Sequence, residues 1–198
     1  MEAVNKSLLA LDELIRKEAD EITYGKGLHK ILSQYGIPHF TGSYALQLMT
    51  WRDLDVYLET DSFSKEKFFE LGKNIDHLLN PVKMSFRNGR IAQTPGLPNG
   101  LYWGIYLGDE RNGAWKIDIW AMDSKECQQR IEYCNKIFDK ISNSARLHIL
   151  DIKSQCWKDP AYRKSYSSAD IYKAVLEDGV TGMDDFRKWL QQSANKTE

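Results

Sequence analysis

Residues 39–58 read His-Phe-Thr-Gly-Ser-Tyr-Ala-Leu-Gln-Leu-Met-Thr-Trp-Arg-Asp-Leu-Asp-Val-Tyr-Leu, and this segment restricts the chain to few architectures. A turn at Gly42 and Ser43 is followed by a short helical stretch, then by two carboxylates that alternate with apolar residues. Side chains on a strand repeat every second residue, so Asp53 and Asp55 point to the same face. Two carboxylates held side by side repel each other and lose hydration, which costs free energy unless a cation sits between them. Mg²⁺ takes such an oxygen pair together with substrate phosphates. A bare Asp-x-Asp is most often the wet face of a half-exposed strand. The Gly-Ser turn upstream tips the reading, because phosphates need close backbone approach where the cation is held.

Length and composition set the outer limits. The 198 residues suit one domain, or a compact core with a helical appendage, and can bury a sizeable core without disulfides. A net charge of −1 argues against a surface built mainly for nucleic acid, although 27 Lys and Arg leave room for a local basic patch. Nucleic acid is therefore an unlikely partner on charge alone, and small substrates are expected. Cys127, Cys134 and Cys156 show neither the paired spacing of a zinc knuckle nor an even count for a disulfide framework. Cys127 and Cys134 are one heptad apart and are expected to pack on one helix face. Glu2, Asp12, Glu13 and Glu18 interrupt the N-terminal leucines, which excludes a signal-peptide core. No apolar run approaches the roughly 20 residues that span a bilayer. A cytoplasmic protein with no membrane segment is expected.

Periodicity orders the elements. Leu8, Leu11, Leu14 and Ile15 predict a helix over 2–19, and a second is expected over 22–34. A short strand at 37–41 precedes a helix over 44–50 with Ser43 as its cap. Strands are predicted at 53–59, 82–87, 101–107 and 114–122, with a helix at 64–79 and a Gly- and Pro-rich loop at 88–100. The remainder is helical, near 124–141, 144–157, 168–178 and 182–192, with a polar tail after Gln191. The expected fold class is α+β. A mixed sheet with helices on one face fills residues 1–123 with the N-terminal helices, followed by a helical C-terminal region, 124–198.

A third carboxylate, Asp118, lies between apolar neighbours in Lys116-Ile117-Asp118-Ile119-Trp120. Gly42-Ser43, Asp53-Leu54-Asp55 and Asp118 together resemble the signature of the DNA polymerase beta-like nucleotidyltransferase superfamily. The similarity covers roughly residues 36–122. The helical tail is similar in kind to small antibiotic-type enzymes, the aminoglycoside and lincosamide nucleotidyltransferases. The resemblance implies a nucleotidyltransferase-like sheet and a Mg²⁺-dependent transfer of a nucleoside monophosphate, AMP from ATP or the equivalent from another NTP. The acceptor would be a small-molecule hydroxyl, and pyrophosphate would leave. It implies that Asp53, Asp55 and Asp118 hold two metal ions, with Asp118 also orienting or deprotonating the acceptor. Gly42 and Ser43 would bind the terminal phosphates, and Lys153, on a helix over the site, would contact phosphate.

Other residues carry competing readings. The simplest partner for Asp118 is Lys116 or Arg90. Arg52 stands where the family often has a small polar residue. Lys83, Arg87 and Arg90 suit a solvated basic edge. Alternation places Trp120 on the face of Asp118 and Trp115 on the other, and most aromatics are expected in the core. His29, His39, His77 and His148 show no ligand spacing and read as structural. Two rival functions remain: a non-catalytic nucleotide-sensing module of the same fold, and modification of a protein partner as in toxin–antitoxin nucleotidyltransferases.

Overall fold

A computed structural model describes residues 2–61 and 64–194. In chain order, helix α1 (Glu2–Asp20) continues into a π-helical turn (Glu21–Gly25) and is followed by α2 (Leu28–Leu32), strand β1 (Ile37–Thr41) and α3 (Gly42–Ala45). Strand β2 (Asp53–Glu59), α4 (Lys65–Leu79), β3 (Lys83–Asn88), α5 (Gly89–Ala92), β4 (Leu101–Tyr106) and β5 (Lys116–Met122) complete the sheet region. Helices α6 (Ser124–Lys140), α7 (Asn143–Cys156), α8 (Ser168–Leu176) and α9 (Met183–Ala194) follow. Residues 195–198 of the polar tail lie outside the described residues.

Three sequence expectations shift locally. The helix expected over 22–34 is divided at Gly25-Lys26-Gly27, where Gly27 adopts φ +93°, a conformation cheap only for glycine. Ser43 is not a cap: Thr41 occupies that position in extended backbone, and α3 begins at Gly42. The helix expected to reach residue 50 instead ends after one turn, and Gln47 takes φ +56°. By contrast Ser64 caps α4 through its side chain, accepting from the Lys67 amide, as its position before a helical run demands.

The sheet order is β1-β2-β5-β4-β3, with β2 and β5 parallel and every other pair antiparallel. The α+β class and mixed sheet match the expectation. On one face Leu54, Val56, Leu58, Ile117 and Ile119 are fully buried against Ile15 of α1, Leu28 of α2, and Phe68 and Leu71 of α4. Each such side chain contributes roughly 1.5–3 kcal/mol on burial, so this face fixes the strand register. A one-residue slip would invert every carboxylate into that core.

The opposite face carries Asp53, Asp55, Tyr57 and Glu59 of β2, which are half-buried. Its distal half is covered by α6, through Cys127 and Ile131 against Trp120, Met122, Tyr57 and Tyr102. Its proximal half carries the aspartates, largely covered by Arg163 and neighbouring side chains. A second apolar cluster joins α7, α8 and α9 to Leu8 of α1 and to Leu46, Leu48 and Trp51. The segment between Gly42 and Asp53 is thereby clamped between both cores. Asp12 of α1, almost wholly buried, accepts from the Met49 amide at 2.8 Å. Glu18 holds Arg52 in a bidentate pair at 2.5 and 2.7 Å. Arg52 thus ties α1 to the start of β2, and its guanidinium is engaged there. Among the described residues, no helix is long and apolar enough to cross a membrane.

Candidate active site

Parallel pairing of β2 with β5 sets Asp55 directly beside Asp118 and Asp53 beside Lys116. Neighbouring strands are about 4.8 Å apart, and residues two apart on a strand share a face. Asp53, Asp55, Lys116 and Asp118 therefore form a four-cornered patch, three acids and one base. Lys116 Nζ lies 2.5 Å from Asp118 Oδ2 and 3.7 Å from Asp53 Oδ1. Arg163, on the loop between α7 and α8, donates to Asp53 Oδ2 at 2.7 Å and to Glu110 at 2.9 Å. Two cations of the chain thus lie among the three carboxylates.

Electrostatics follow from that crowding. Asp55 is raised well above the ordinary carboxylate range by burial, then by the charges of Asp53 and Asp118. Asp118 is raised by burial and by Asp53, against the opposing pull of Lys116. For Lys116 burial favours the neutral amine, but Asp53 and Asp118 outweigh it and hold the ammonium above its usual value. Arg163 behaves alike, with Asp53 and Glu110 outweighing burial. Excess negative charge is the defining property of the patch.

Gly42 closes the site from above. It adopts φ +61°, and a β-carbon there would lie 2.2 Å from Asp55 Oδ2. The bare backbone of the Gly-Ser turn therefore rests on the carboxylate pair. A second glycine acts similarly one strand over. Gly104 pairs with Asp118, and a β-carbon on it would lie 2.3 Å from the Tyr102 hydroxyl. Without that atom, Tyr102 reaches across and donates to Asp118 Oδ1 at 2.6 Å.

The sequence-expected residues are distributed as follows. Gly42, Asp53, Asp55 and Asp118 converge, and Ser43 lies beside them in the first turn of α3. Lys153 is buried to 1 % exposure, with its ammonium 2.7 Å from the Leu48 carbonyl, 3.3 Å from the Tyr172 hydroxyl and 4.6 Å above the Trp51 ring. It is directed at the segment beneath the turn, and phosphate contact would require it to leave the Leu48 carbonyl. Lys83 and Arg87 lie on β3, the far edge of the sheet. Lys83 stacks over Tyr106 and Arg87 bonds Thr94, away from the aspartates.

Two participants, Tyr102 and Arg163, escape a sequence reading. Tyr102 had a signal, since a glycine inside a strand marks close approach of another group, and Gly104 is such a glycine. Lys116 was legible as the partner of Asp118, since residues two apart on a strand share a face. Arg163 had none, because a loop joins it to Asp53 across 110 positions.

The patch passes a test for divalent metal. Asp53 Oδ1 is buried and lacks a hydrogen-bond partner. All three acids offer hard oxygens, and Lys116 and Arg163 stand where positive charge is wanted. Asp53 and Asp55, with Asp118 opposite, are the residues that could hold Mg²⁺.

No family model matches the chain. No curated protein matches it in sequence. Solved structures do. A cytoplasmic RNA terminal U-transferase superposes with a TM-score of 0.53 at 12% identity, over 89% of this chain and 52% of that one. The chain has a nucleotidyltransferase-like fold. The GLD-2/RNP-8 complex gives 0.51 at 11% identity, over 87% and 64% of the respective chains. The Cid1 poly(U) polymerase with Mg and 3′-dATP bound gives 0.52 at 12% identity, over 86% and 54%. This chain therefore spans about half to two-thirds of the length of these structures. The first is an RNA terminal U-transferase and the third a poly(U) polymerase, neither a small antibiotic-type enzyme, so they lend no support to excluding nucleic acid as a partner.

Proposed function

We infer that this chain is a Mg²⁺-dependent nucleotidyltransferase, moving a nucleoside monophosphate from a nucleoside triphosphate to a hydroxyl with release of pyrophosphate. The observation that carries this reading is Asp55 beside Asp118 on parallel strands, with Asp53 on the same face and Gly42 resting on Asp55.

In this reading Asp53 and Asp55 hold the nucleotide-associated Mg²⁺, and Asp118 completes a second position. A divalent ion held there would supply charge neutralisation for the attacking and leaving oxygens. The Gly42 and Ser43 amides and the Ser43 hydroxyl bind the terminal phosphates, since no side chain at Gly42 blocks approach. Asp118, made more basic by burial, orients the acceptor hydroxyl and takes its proton at a carboxylate oxygen. Tyr102, donating to Oδ1, and Lys116, paired with Oδ2, fix the plane of that carboxylate, and Lys116 must yield Oδ2 for the acceptor to reach it.

Two acceptor classes are supported by different observations. A net charge of −1 favours a small molecule. The likeness to RNA terminal transferases favours the 3′-hydroxyl of RNA. The deciding experiment offers each common ribonucleoside triphosphate, α-labelled, with Mg²⁺ and either a hydroxyl-bearing small-molecule panel or short single-stranded RNA. Pyrophosphate release with label on one acceptor class is expected, reduced at least about 10²-fold in Asp53→Asn and Asp118→Asn. Turnover untouched in Asp53→Asn would refute the mechanism. Tight nucleotide–Mg²⁺ binding without turnover on any acceptor would identify a sensing module instead.

A further inference from the structure

We propose that His39, Glu59 and Cys127 form a second metal site, suited to Zn²⁺ and separate from the aspartates. These residues come from three different elements, β1, β2 and α6. Their ligand atoms all lie within 4.8 Å of one another, and they are the one such group of three among the described residues. His39 Nε2 and Glu59 Oε2 are 2.8 Å apart. No sequence spacing announces the group, because His39 and Cys127 are brought together only by the sheet and its covering helix.

The donor set decides the ion. An imidazole nitrogen, a carboxylate oxygen and a thiolate sulfur suit a borderline ion, whereas Mg²⁺ prefers the all-oxygen aspartate patch. Glu59 lies four residues beyond Asp55 on the same strand face, roughly 13 Å away at strand rise, so the two sites bind independently.

The surroundings are those of a supported site. Gln128 Nε2 donates to Glu59 Oε2 at 3.4 Å. Such outer contacts orient a ligating carboxylate. Cys127 is fully buried, while His39 keeps 28 % side-chain exposure and lines an open cavity of about 360 Å³ with Thr41, Tyr44 and Ile131. Three protein ligands with one open side leave a fourth position for water, and the cavity supplies an entry path. On binding, Cys127 passes its thiol proton to solvent and ligates as thiolate. The ion would staple α6 to the β1–β2 edge.

The test uses the full chain, stripped with chelator and then held in excess Mg²⁺ to saturate the aspartates. Titration with Co²⁺ is expected to give one equivalent and a thiolate-to-cobalt charge-transfer band, displaced by Zn²⁺. Cys127→Ser should abolish the band. His39→Asn and Glu59→Gln, which keep the cysteine, should weaken Co²⁺ binding about 10- to 100-fold. Asp118→Asn should leave it unchanged. Absence of the band in the wild type, or its persistence in Cys127→Ser through Cys134 or Cys156, would overturn the site. Unaltered affinity in both His39→Asn and Glu59→Gln would do the same, leaving an ion pair beside an inert thiol.

Discussion

Gly42 lies against Asp55 so closely that a β-carbon on the glycine would sit 2.2 Å from the Asp55 Oδ2 atom. The contact is possible only because Gly42 also adopts φ +61°, where other residues pay about 1–2 kcal/mol. Clash and backbone strain act together in Gly42→Ala. The variant should lose about 2 kcal/mol or more of stability in denaturant unfolding, since overpacking a tight contact adds to the backbone cost. Nucleotide–Mg²⁺ affinity should fall with it. A loss below about 0.5 kcal/mol would show that the turn relaxes freely and that its closeness to Asp55 is incidental.

Asp55 is the most crowded member of the acidic patch, and its environment makes a prediction about the metal-free protein. Burial and the two neighbouring aspartates hold its carboxyl above the ordinary range. The folded chain therefore keeps this proton to higher pH than the unfolded chain does. Between the two values the folded state binds more protons, so stability falls as pH rises, and the penalty persists at neutrality. Asp55→Asn removes it. Without metal the variant should melt above the wild type, each kcal/mol being worth about 2–4 °C at this chain length. Added Mg²⁺ should raise the wild-type midpoint and leave the variant unmoved. A variant that melts lower without metal would contradict the repulsion assigned to Asp55.

The strand-borne half of this site was legible in the sequence because strand geometry is nearly deterministic. Period-two alternation placed Asp53 and Asp55 on one face, and the burial pattern of β2 follows directly, whereas β5 is buried on both faces except at Asp118. What alternation cannot give is which strands are neighbours. The Asp55–Asp118 register depends on parallel pairing of strands separated by α4, β3 and β4, a tertiary outcome. The fold class was equally accessible, since apolar periodicity and Ser64, Asn80 and Pro81 mark the ends of α4.

Contacts made by loops and long side chains were not legible. Arg52 stood out only as a departure from the family pattern, and its partner Glu18, 34 positions away, was not visible in the sequence. His39 read as structural, and its partners Glu59, on the neighbouring strand, and Cys127, on the covering helix, were not visible in the sequence. Lys153 read as a phosphate contact, and burial turns its ammonium toward Leu48 and Trp51. Long flexible side chains choose partners by three-dimensional proximity, which sequence separation does not encode.

A metal bound at Asp53 would have to compete with Arg163. Its guanidinium lies 2.7 Å from Asp53 Oδ2 and is simultaneously held by Glu110. The residue also sits at φ +65°, an uncommon conformation for arginine, in a turn closed by the Arg163 amide donating to the Tyr166 carbonyl at 2.7 Å. Arg163→Ala should tighten binding of Mg²⁺ alone by about 3- to 10-fold, because up to roughly 1.4 kcal/mol of competing attraction is removed. Glu110 shares the same guanidinium, so Glu110→Gln leaves Arg163 to pair with Asp53 alone and should hold Mg²⁺ affinity at or below the wild-type value. Calorimetric titration of both variants measures this. Weaker Mg²⁺ binding in Arg163→Ala would mean that the arginine supports the acidic geometry instead of competing for it.

Lys153 offers a pH signature that isolates one buried charge. Burial lowers its ammonium to about 8, although Asp53, Asp55 and Asp12 pull the other way. In the unfolded chain the same group titrates near about 10.4. Between those values the unfolded state binds the extra proton, so this residue's contribution to stability improves as pH rises. Below about pH 8 the full penalty is present, on the order of 3 kcal/mol. Lys153→Met carries no such term. It loses the hydrogen bond to Leu48, a cost that stays constant with pH. Wild-type stability relative to Lys153→Met should therefore climb from about pH 8 to about pH 10.4 and be level below pH 8. Subtracting the variant cancels the other lysines and tyrosines that titrate in the same range. Urea unfolding of both proteins across that interval reads the difference, and a flat line would show that Lys153 stays charged and solvated in the folded state.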